Sequence, residues 1–287
     1  MSSSSQQRDY SPLVFILSYG RPGNVKTLRA LKGQRFDGDW RIVCSTDDPT
    51  LAEYRERYGE RVLVFDKDDY RSGCMCPRSD TKKGTVFWAR NACYDLASEL
   101  GAEYFVELDD DYTGFYHRVI DGGELAAVKV TDVGILFGEM ARFLDSSGLD
   151  CVAIAQDGDF IGGAGAAKGA ARRHWLRKAM NVFCLRTDSR FRFVGAVNED
   201  VTAYVLHGSR GALVLTNTDS SVHQEQTQKA EGGMTGQYLD GGTALKTAFT
   251  IVACPSCVEF MALGPKHRRI HHRVMWRYAV PCVLREG

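Results

Sequence analysis

The chain has 287 residues, 44% of them hydrophobic, with 29 Gly and 7 Pro. That suffices for one large folded domain and excludes a fibrous or low-complexity protein. Its 36 basic residues balance 36 acidic ones, so there is no global positive field for nucleic acid, and any such binding must use local patches.

Residues 1–11 read as a disordered tail. Residues 13–17 (LVFIL) predict a buried strand, broken by Ser18-Tyr19-Gly20-Arg21-Pro22-Gly23. Residues 24–31 predict a helix with Asn24 as its cap. A second strand over 41–44 ends in Ser45-Thr46-Asp47-Asp48-Pro49; 51–58 is helical and 62–65 is a third strand. From 86 to 100 apolar residues recur at helical spacing, and 104–108 (YFVEL) predicts a fourth strand, followed at once by Asp109-Asp110-Asp111. This alternation predicts an α/β fold: a mainly parallel sheet with helices on both faces, as a single domain with a C-terminal elaboration. Ligands of such sheets bind at the carboxyl ends of strands. Ser18 to Arg21, Asp47-Asp48 and Asp109 to Asp111 all fall at such ends.

The second half predicts a helix over 131–144, a strand over 151–155 and a Gly/Ala loop over 160–171. Further strands are expected at 182–185, 191–194 and 212–215, with a short helix after Asn198-Glu199-Asp200. Residues 217–243, poor in apolar periodicity, read as a long functional or disordered loop. There is no internal repeat.

Three adjacent carboxylates behind an apolar strand repel one another and are costly to desolvate. A divalent cation relieves that cost, and a metal between carboxylates and a diphosphate neutralises a departing nucleotide. Spacing favours Asp109 and Asp111 as the pair facing the metal. Arg21, closing the first strand, suits a nucleotide contact. In Asn198-Glu199-Asp200 the acids either complement a helix dipole or accept the proton of an attacking hydroxyl.

The segments ILSYGRPGNVKTL (16–28), KGTVFWARN (83–91), ELDDDY (107–112), NED (198–200) and the stretch from His223 to Gly241 together resemble the TET/JBP-associated glycosyltransferases, which have a GT-A fold. The resemblance covers about residues 13–260. It implies a nucleotide-sugar donor, a uridine diphosphate sugar, and an acceptor hydroxymethyl group on a modified pyrimidine in DNA. By this resemblance Ser18, Tyr19 and Arg21 sit by the donor nucleotide. Asp47 or Asp48 lies near its base or ribose, Arg90 near its ribose or phosphates, and Asp110 belongs to the donor side. Asp109 and Asp111 hold the metal, Glu199 or Asp200 takes the place of the general base, and His223 is a further metal or phosphate ligand. A nitrogen ligand beside two carboxylates favours Mn2+ over Mg2+. The expected domains are a tail at 1–11, a GT-A-like domain at 12–260 and a basic extension at 261–287 packed on or beside it.

Two acid-free stretches, KGAARRHWLRK (168–178) and KHRRIHHRVMWR (266–277), stand out. Arg172, Arg173, Arg268 and Arg269 are the candidate phosphate contacts, with Trp276 available for base stacking. The nine cysteines are an odd number, spread along the chain, which suits a reducing cytosol rather than a disulfide framework. Cys254-Pro255-Ser256-Cys257 and Cys74-Met75-Cys76 lack a standard zinc partner half. No apolar run approaches the ~18 residues of a membrane span, and the polar N-terminus lacks a signal-peptide core. A cytoplasmic, soluble protein is therefore expected. Three other readings stay open: a glycosyltransferase with a glycan, lipid or small-molecule acceptor, a sugar-nucleotide pyrophosphorylase-like enzyme, and a non-catalytic nucleic-acid-binding module.

Overall fold

The apolar run Leu13–Leu17 forms β1, with all five side chains buried. Alternate residues of a strand face opposite ways, and here both faces are covered. Leu13, Phe15 and Leu17 enter one core, while Val14 and Ile16 enter a second. The run is therefore apolar throughout rather than alternating. The structure, a computed structural model, describes residues 10–73, 86–160, 176–195, 197–224, 244, 246–263 and 269–280, with only the backbone at 71–73, 263 and 269.

In chain order, β1 is followed by α1 (Lys26–Gly33), β2 (Trp40–Ser45), α2 (Leu51–Tyr58), β3 (Val62–Phe65), α3 (Val86–Glu99) and β4 (Tyr104–Asp109). β1 pairs in parallel with β2 and β4, and β2 pairs in parallel with β3. Asn24 does not cap α1. Val25 precedes its first turn with no side-chain cap, and the Asn24 amide instead donates to the Arg21 carbonyl at 2.9 Å, closing the turn after β1.

Next come β5 (Tyr112–Asp121), β6 (Glu124–Lys129), α4 (Val133–Ser147), β7 (Cys151–Gln156), β8 (Phe183–Arg186), α5 (Glu199–Ser209) and β9 (Val214–Gln224). A helix over 246–253 (α6) leads to β10 (Val258–Leu263), β11 (Arg269–Val274) and α7 (Trp276–Ala279). The main sheet runs β3-β2-β1-β4-β8-β7-β9-β5-β6, parallel through the β3 to β4 half and mixed beyond it. The β10–β11 hairpin forms its own two-stranded sheet.

One further hairpin is present, and two local expectations are corrected. Residues 112–129 form the β5–β6 hairpin, turning at Gly122-Gly123 with φ of +56° and +88°, the left-handed pair that two-residue hairpin turns demand. β9 runs on to Gln224, so His223 is a strand residue rather than part of a polar loop. Residues 191–194 are not a strand, because a side chain takes the place of a neighbouring strand. Asn91 Nδ2 donates to the Phe193 carbonyl at 3.0 Å, and the Phe193 amide donates to Asn91 Oδ1 at 3.1 Å. Among the described residues no helix is long and apolar enough to cross a membrane.

Candidate active site

The acidic turn after β4 divides its carboxylates between two faces of the sheet. Glu107 and Asp109, two residues apart, project towards α3, where Arg90 meets both. Its Nη1 lies 3.2 Å from Glu107 Oε2, its Nη2 3.1 Å from Asp109 Oδ1 and its Nε 3.4 Å from Glu199 Oε1. The guanidinium is buried, flanked by the rings of Phe183 and Phe193 at 5.0 and 5.3 Å. Burial opposes its charge, but Asp109, Glu107 and Glu199 outweigh it and hold Arg90 protonated. One positive charge cannot satisfy three carboxylates. Burial pushes the wholly enclosed Glu107 carboxyl up to about 8, with Arg90 offsetting only part of that shift.

Asp110 turns the other way. Its Oδ2 accepts from Ser18 Oγ at 2.6 Å and its Oδ1 pairs with Arg21 Nη1 at 3.1 Å. Ser18 Oγ also lies 2.6 Å from the Tyr54 hydroxyl, which accepts from the Arg21 amide at 2.9 Å. The loops after β1 and β4 are thereby locked together. Thr27 clamps the turn from α1. Its hydroxyl donates to the Asp109 carbonyl at 2.5 Å and accepts from the Tyr112 amide at 3.0 Å, while its amide donates to the Asp110 carbonyl at 3.2 Å.

Asp48 and Asp47, after β2, differ in the same way. Asp48 is buried and accepts from the Gly20 amide at 2.9 Å and from Thr50 at 2.7 Å, shaping the loop. Asp47 is nearly half exposed and pairs with Lys67 Nζ at 2.8 Å. Lys67 lies 4.9 Å over the Tyr19 ring. Asp47 and the half-buried Tyr19 make an accessible shelf beside the acidic turn, held by the buried Lys67.

Asp111 is the least neutralised member of the triplet: among the described residues no Lys or Arg reaches it within ion-pair distance. Burial, then Asp109 and Asp110, push its carboxyl up to about 7. Two crowded carboxylates, one of them only weakly compensated, could hold a hard divalent cation. Among the described residues no third His, Cys, Asp or Glu joins them as a ready cluster.

α5 begins beside this group. Asn198 adopts a left-handed conformation (φ +59°) and its Nδ2 lies 3.0 Å from Thr250 Oγ1 and 3.3 Å from His272 Nδ1. That anchor delivers Glu199 to Arg90. Asp200 follows, its Oδ1 accepting from the Val201 amide at 2.7 Å. Burial raises both carboxyls. Asp200 adds to the shift of Glu199, and Arg90 and Lys246 oppose that of Asp200.

The family model of the TET-associated glycosyltransferases matches residues 13–233. The chain belongs to that family. This glycosyltransferase is similar in structure to a mycobacterial protein (11% identity, covering 92% of this chain and 84% of that one, TM-score 0.48). It is also similar to a cytidylyltransferase from Leptospira borgpetersenii serovar Hardjo-bovis (13%, 84% and 86%, 0.37). A third similar structure is mannose-1-phosphate geranyltransferase from Thermus thermophilus (11%, 61% and 57%, 0.31). No curated protein matches the sequence.

The strand ends of this glycosyltransferase bring Ser18, Arg21, Asp110, Arg90, Asp109 and Glu199 into two joined networks. His223 belongs to neither. It stacks on Tyr116 at 3.9 Å, and its Nε2 lies 3.1 Å from both Arg118 Nη2 and Asp157 Oδ1. Arg172, Arg173 and Arg268 lie outside the described residues, as do Cys74 and Cys76; Arg269 opens β11. Cys254 and Cys257 are buried in the core, and Cys257 Sγ donates to the Tyr278 carbonyl at 3.4 Å.

Sequence reasoning missed Glu107, Tyr54, Thr27 and Lys246. Glu107 alone carried a usable signal: a charge inside an apolar strand, at the same-face spacing from Asp109. Tyr54 and Thr27 sit on helices whose spacing marks them only as inward-facing.

Proposed function

We propose that this glycosyltransferase moves a sugar from a uridine diphosphate sugar to the hydroxymethyl group of a modified pyrimidine in DNA, with Mn2+ or Mg2+ held by Asp109 and Asp111. The observation that carries the reading is Arg90, one guanidinium spanning from the metal-side carboxylate Asp109 to Glu199 at the start of α5. It fixes the donor side and the candidate base in one rigid frame, as displacement at a sugar carbon requires.

The donor nucleotide rests on the loop after β1 and the shelf of Tyr19 and Asp47, with Arg21 at its phosphates. Asp110 and Asp48 act by holding that loop, and Arg90 acts on the donor through Asp109. A cation held by Asp109 and Asp111 would neutralise charge on the departing diphosphate. Asp200, or Glu199 beside it, accepts the acceptor hydroxyl's proton as the oxygen bonds to the anomeric carbon and the bond to the diphosphate breaks. His223, beside Arg118 and Asp157, would meet a phosphate on the β5–β9 side. Raised carboxyl pKa values at α5 support the base, since they put its titration nearer to neutral pH.

Mass spectrometry of nucleosides from hydroxymethylated DNA, incubated with the protein and a panel of nucleotide sugars, tests the reading. A mass gain of one sugar on the hydroxymethylpyrimidine is expected. A gain on an added glycan or small alcohol, with none on DNA, moves the acceptor to that class.

A further inference from the structure

A cleft of about 830 Å3 opens between α5, the β10–β11 hairpin and residues 176–178. We propose that it seats an unpaired nucleotide of the acceptor strand, with the neighbouring phosphates at its mouth. The inference rests on DNA being the acceptor and adds where, and in what form, the strand binds.

The lining carries four cationic side chains, Arg177, Lys178, Arg273 and Arg277, against two acids, Asp159 and Glu259. On a chain with no net charge this is a local positive surface of the kind phosphates select. Arg177 and Lys178 are fixed by Asp159 at 3.0 and 2.8 Å and shape the inner wall. The mouth is different. Arg273 and Glu259 meet at 3.2 Å with both side chains exposed, a pairing of little strength that a phosphate can replace. Arg277 is exposed as well.

Between wall and mouth, Trp276 lies flat on buried Tyr204, with ring centroids 5.7 Å apart and planes 15° from parallel. A half-buried indole already held by one ring is a platform for a further ring, and base stacking on such platforms tolerates any sequence. The cleft suits a nucleotide out of the helix rather than a whole duplex, and enzymes that work on a base commonly take it out of the stack.

Two links join the cleft to the carboxylates. Tyr204 follows Asp200 by four residues on α5, which puts both on one helix face a turn apart. His272, on the cleft wall, reaches Asn198, and Glu199 comes next in sequence. A base lying on Trp276 therefore leads its substituent towards the start of α5.

The test is fluorescence anisotropy of a labelled single-stranded oligonucleotide with the full chain over a salt series, without donor. Each phosphate neutralised on a single strand contributes roughly 0.7 to the salt slope, so R273Q/R277Q should flatten it by about 1.4. W276L should weaken binding by about tenfold, from loss of one stacked base, and W276F by less. R29Q/K32Q, exposed on α1, should leave the slope unchanged. An unchanged slope in R273Q/R277Q overturns the cleft while leaving DNA as the acceptor. Equal affinity for the fully paired duplex, with equal sensitivity to these variants, overturns the unpaired nucleotide. If the wild-type protein binds neither form at low salt, the DNA acceptor falls as well.

Discussion

Arg90 and Asp109 are joined at 3.1 Å from a helix to the end of a strand, and the same guanidinium also holds Glu107 and Glu199. Removing its charge leaves three carboxylates uncompensated, two of them buried. Arg90→Met should cost about 3–5 kcal/mol, read as a lower urea midpoint. Arg90→Lys should recover part of that stability, but not the three-way geometry or the activity. A wild-type midpoint for the Met variant would show that Arg90 is not the hub.

Asp109 and Asp111 should make donor binding depend on a divalent cation. Calorimetry with uridine diphosphate should show tight binding with Mn2+ and weak binding with chelator. Asp109→Asn or Asp111→Asn should lose the difference. Equal affinity in all conditions removes the metal from these residues.

Asp200→Asn or Glu199→Gln should lower turnover by ~10²–10⁴-fold, the usual contribution of a general base, with donor affinity little changed. The pH dependences of rate and stability should run in opposite directions. Burial raises both carboxyls in the folded protein, so the proton-accepting form fills only as pH rises, and kcat/KM should climb with it. Folding meanwhile favours the protonated pair. Its stabilisation is complete below the unfolded carboxylate value of about 4 and is lost as pH rises through the folded values. The limb belongs to the pair as a unit. Denaturation midpoints at pH 5 and pH 8 check the sign, and Glu199→Gln should bring the two closer. A rate profile flat from pH 5 to 8 argues for a proton acceptor elsewhere.

Tyr54→Phe removes the hydroxyl shared by Ser18 and the Arg21 amide. Leaving a buried polar group unpaired costs about 1–3 kcal/mol, and here the loop after β1 bears the loss. The donor KM should rise while kcat holds. A proportional fall in kcat with no change in KM would separate this loop from donor binding.

Gly208 lies where α5 meets the end of α7: a Cβ there would stand 2.2 Å from the Ala279 carbonyl oxygen. Because the obstacle is backbone, Gly208→Ala must push the two segments apart, at about 1–3 kcal/mol for overpacking. Thermal unfolding checks it, and an unchanged Tm would mean that the C-terminal segment does not dock on α5 in solution.

The framework from β1 to the acidic turn is legible in the residues alone. Short apolar runs broken by Gly, Pro and Asp and alternating with helix-period segments read as buried strands, and the physics of such sheets puts Ser18, Asp47 and Asp109 at one end of the sheet. Asp109 and Asp111 are likewise marked as a crowded pair, because adjacent carboxylates repel wherever the chain takes them. The direction in which each group points is settled by packing in three dimensions. Asp110 turns to Ser18 while Asp109 turns to Arg90, an outcome set by strand alternation and by a helix 19 residues earlier in sequence. Arg90 looks like an available cation on its helix, and packing alone commits it to three acids. Asn91 replaces a strand that the apolar pattern at 191–194 predicts. His223 is drawn into β9 beside Arg118 and Asp157 because pairing with β5, more than a hundred residues away in sequence, completes its backbone hydrogen bonds. Local pattern records whether a residue faces inward. Which partner waits there depends on contacts distant in sequence, and those exist only once the sheet has closed.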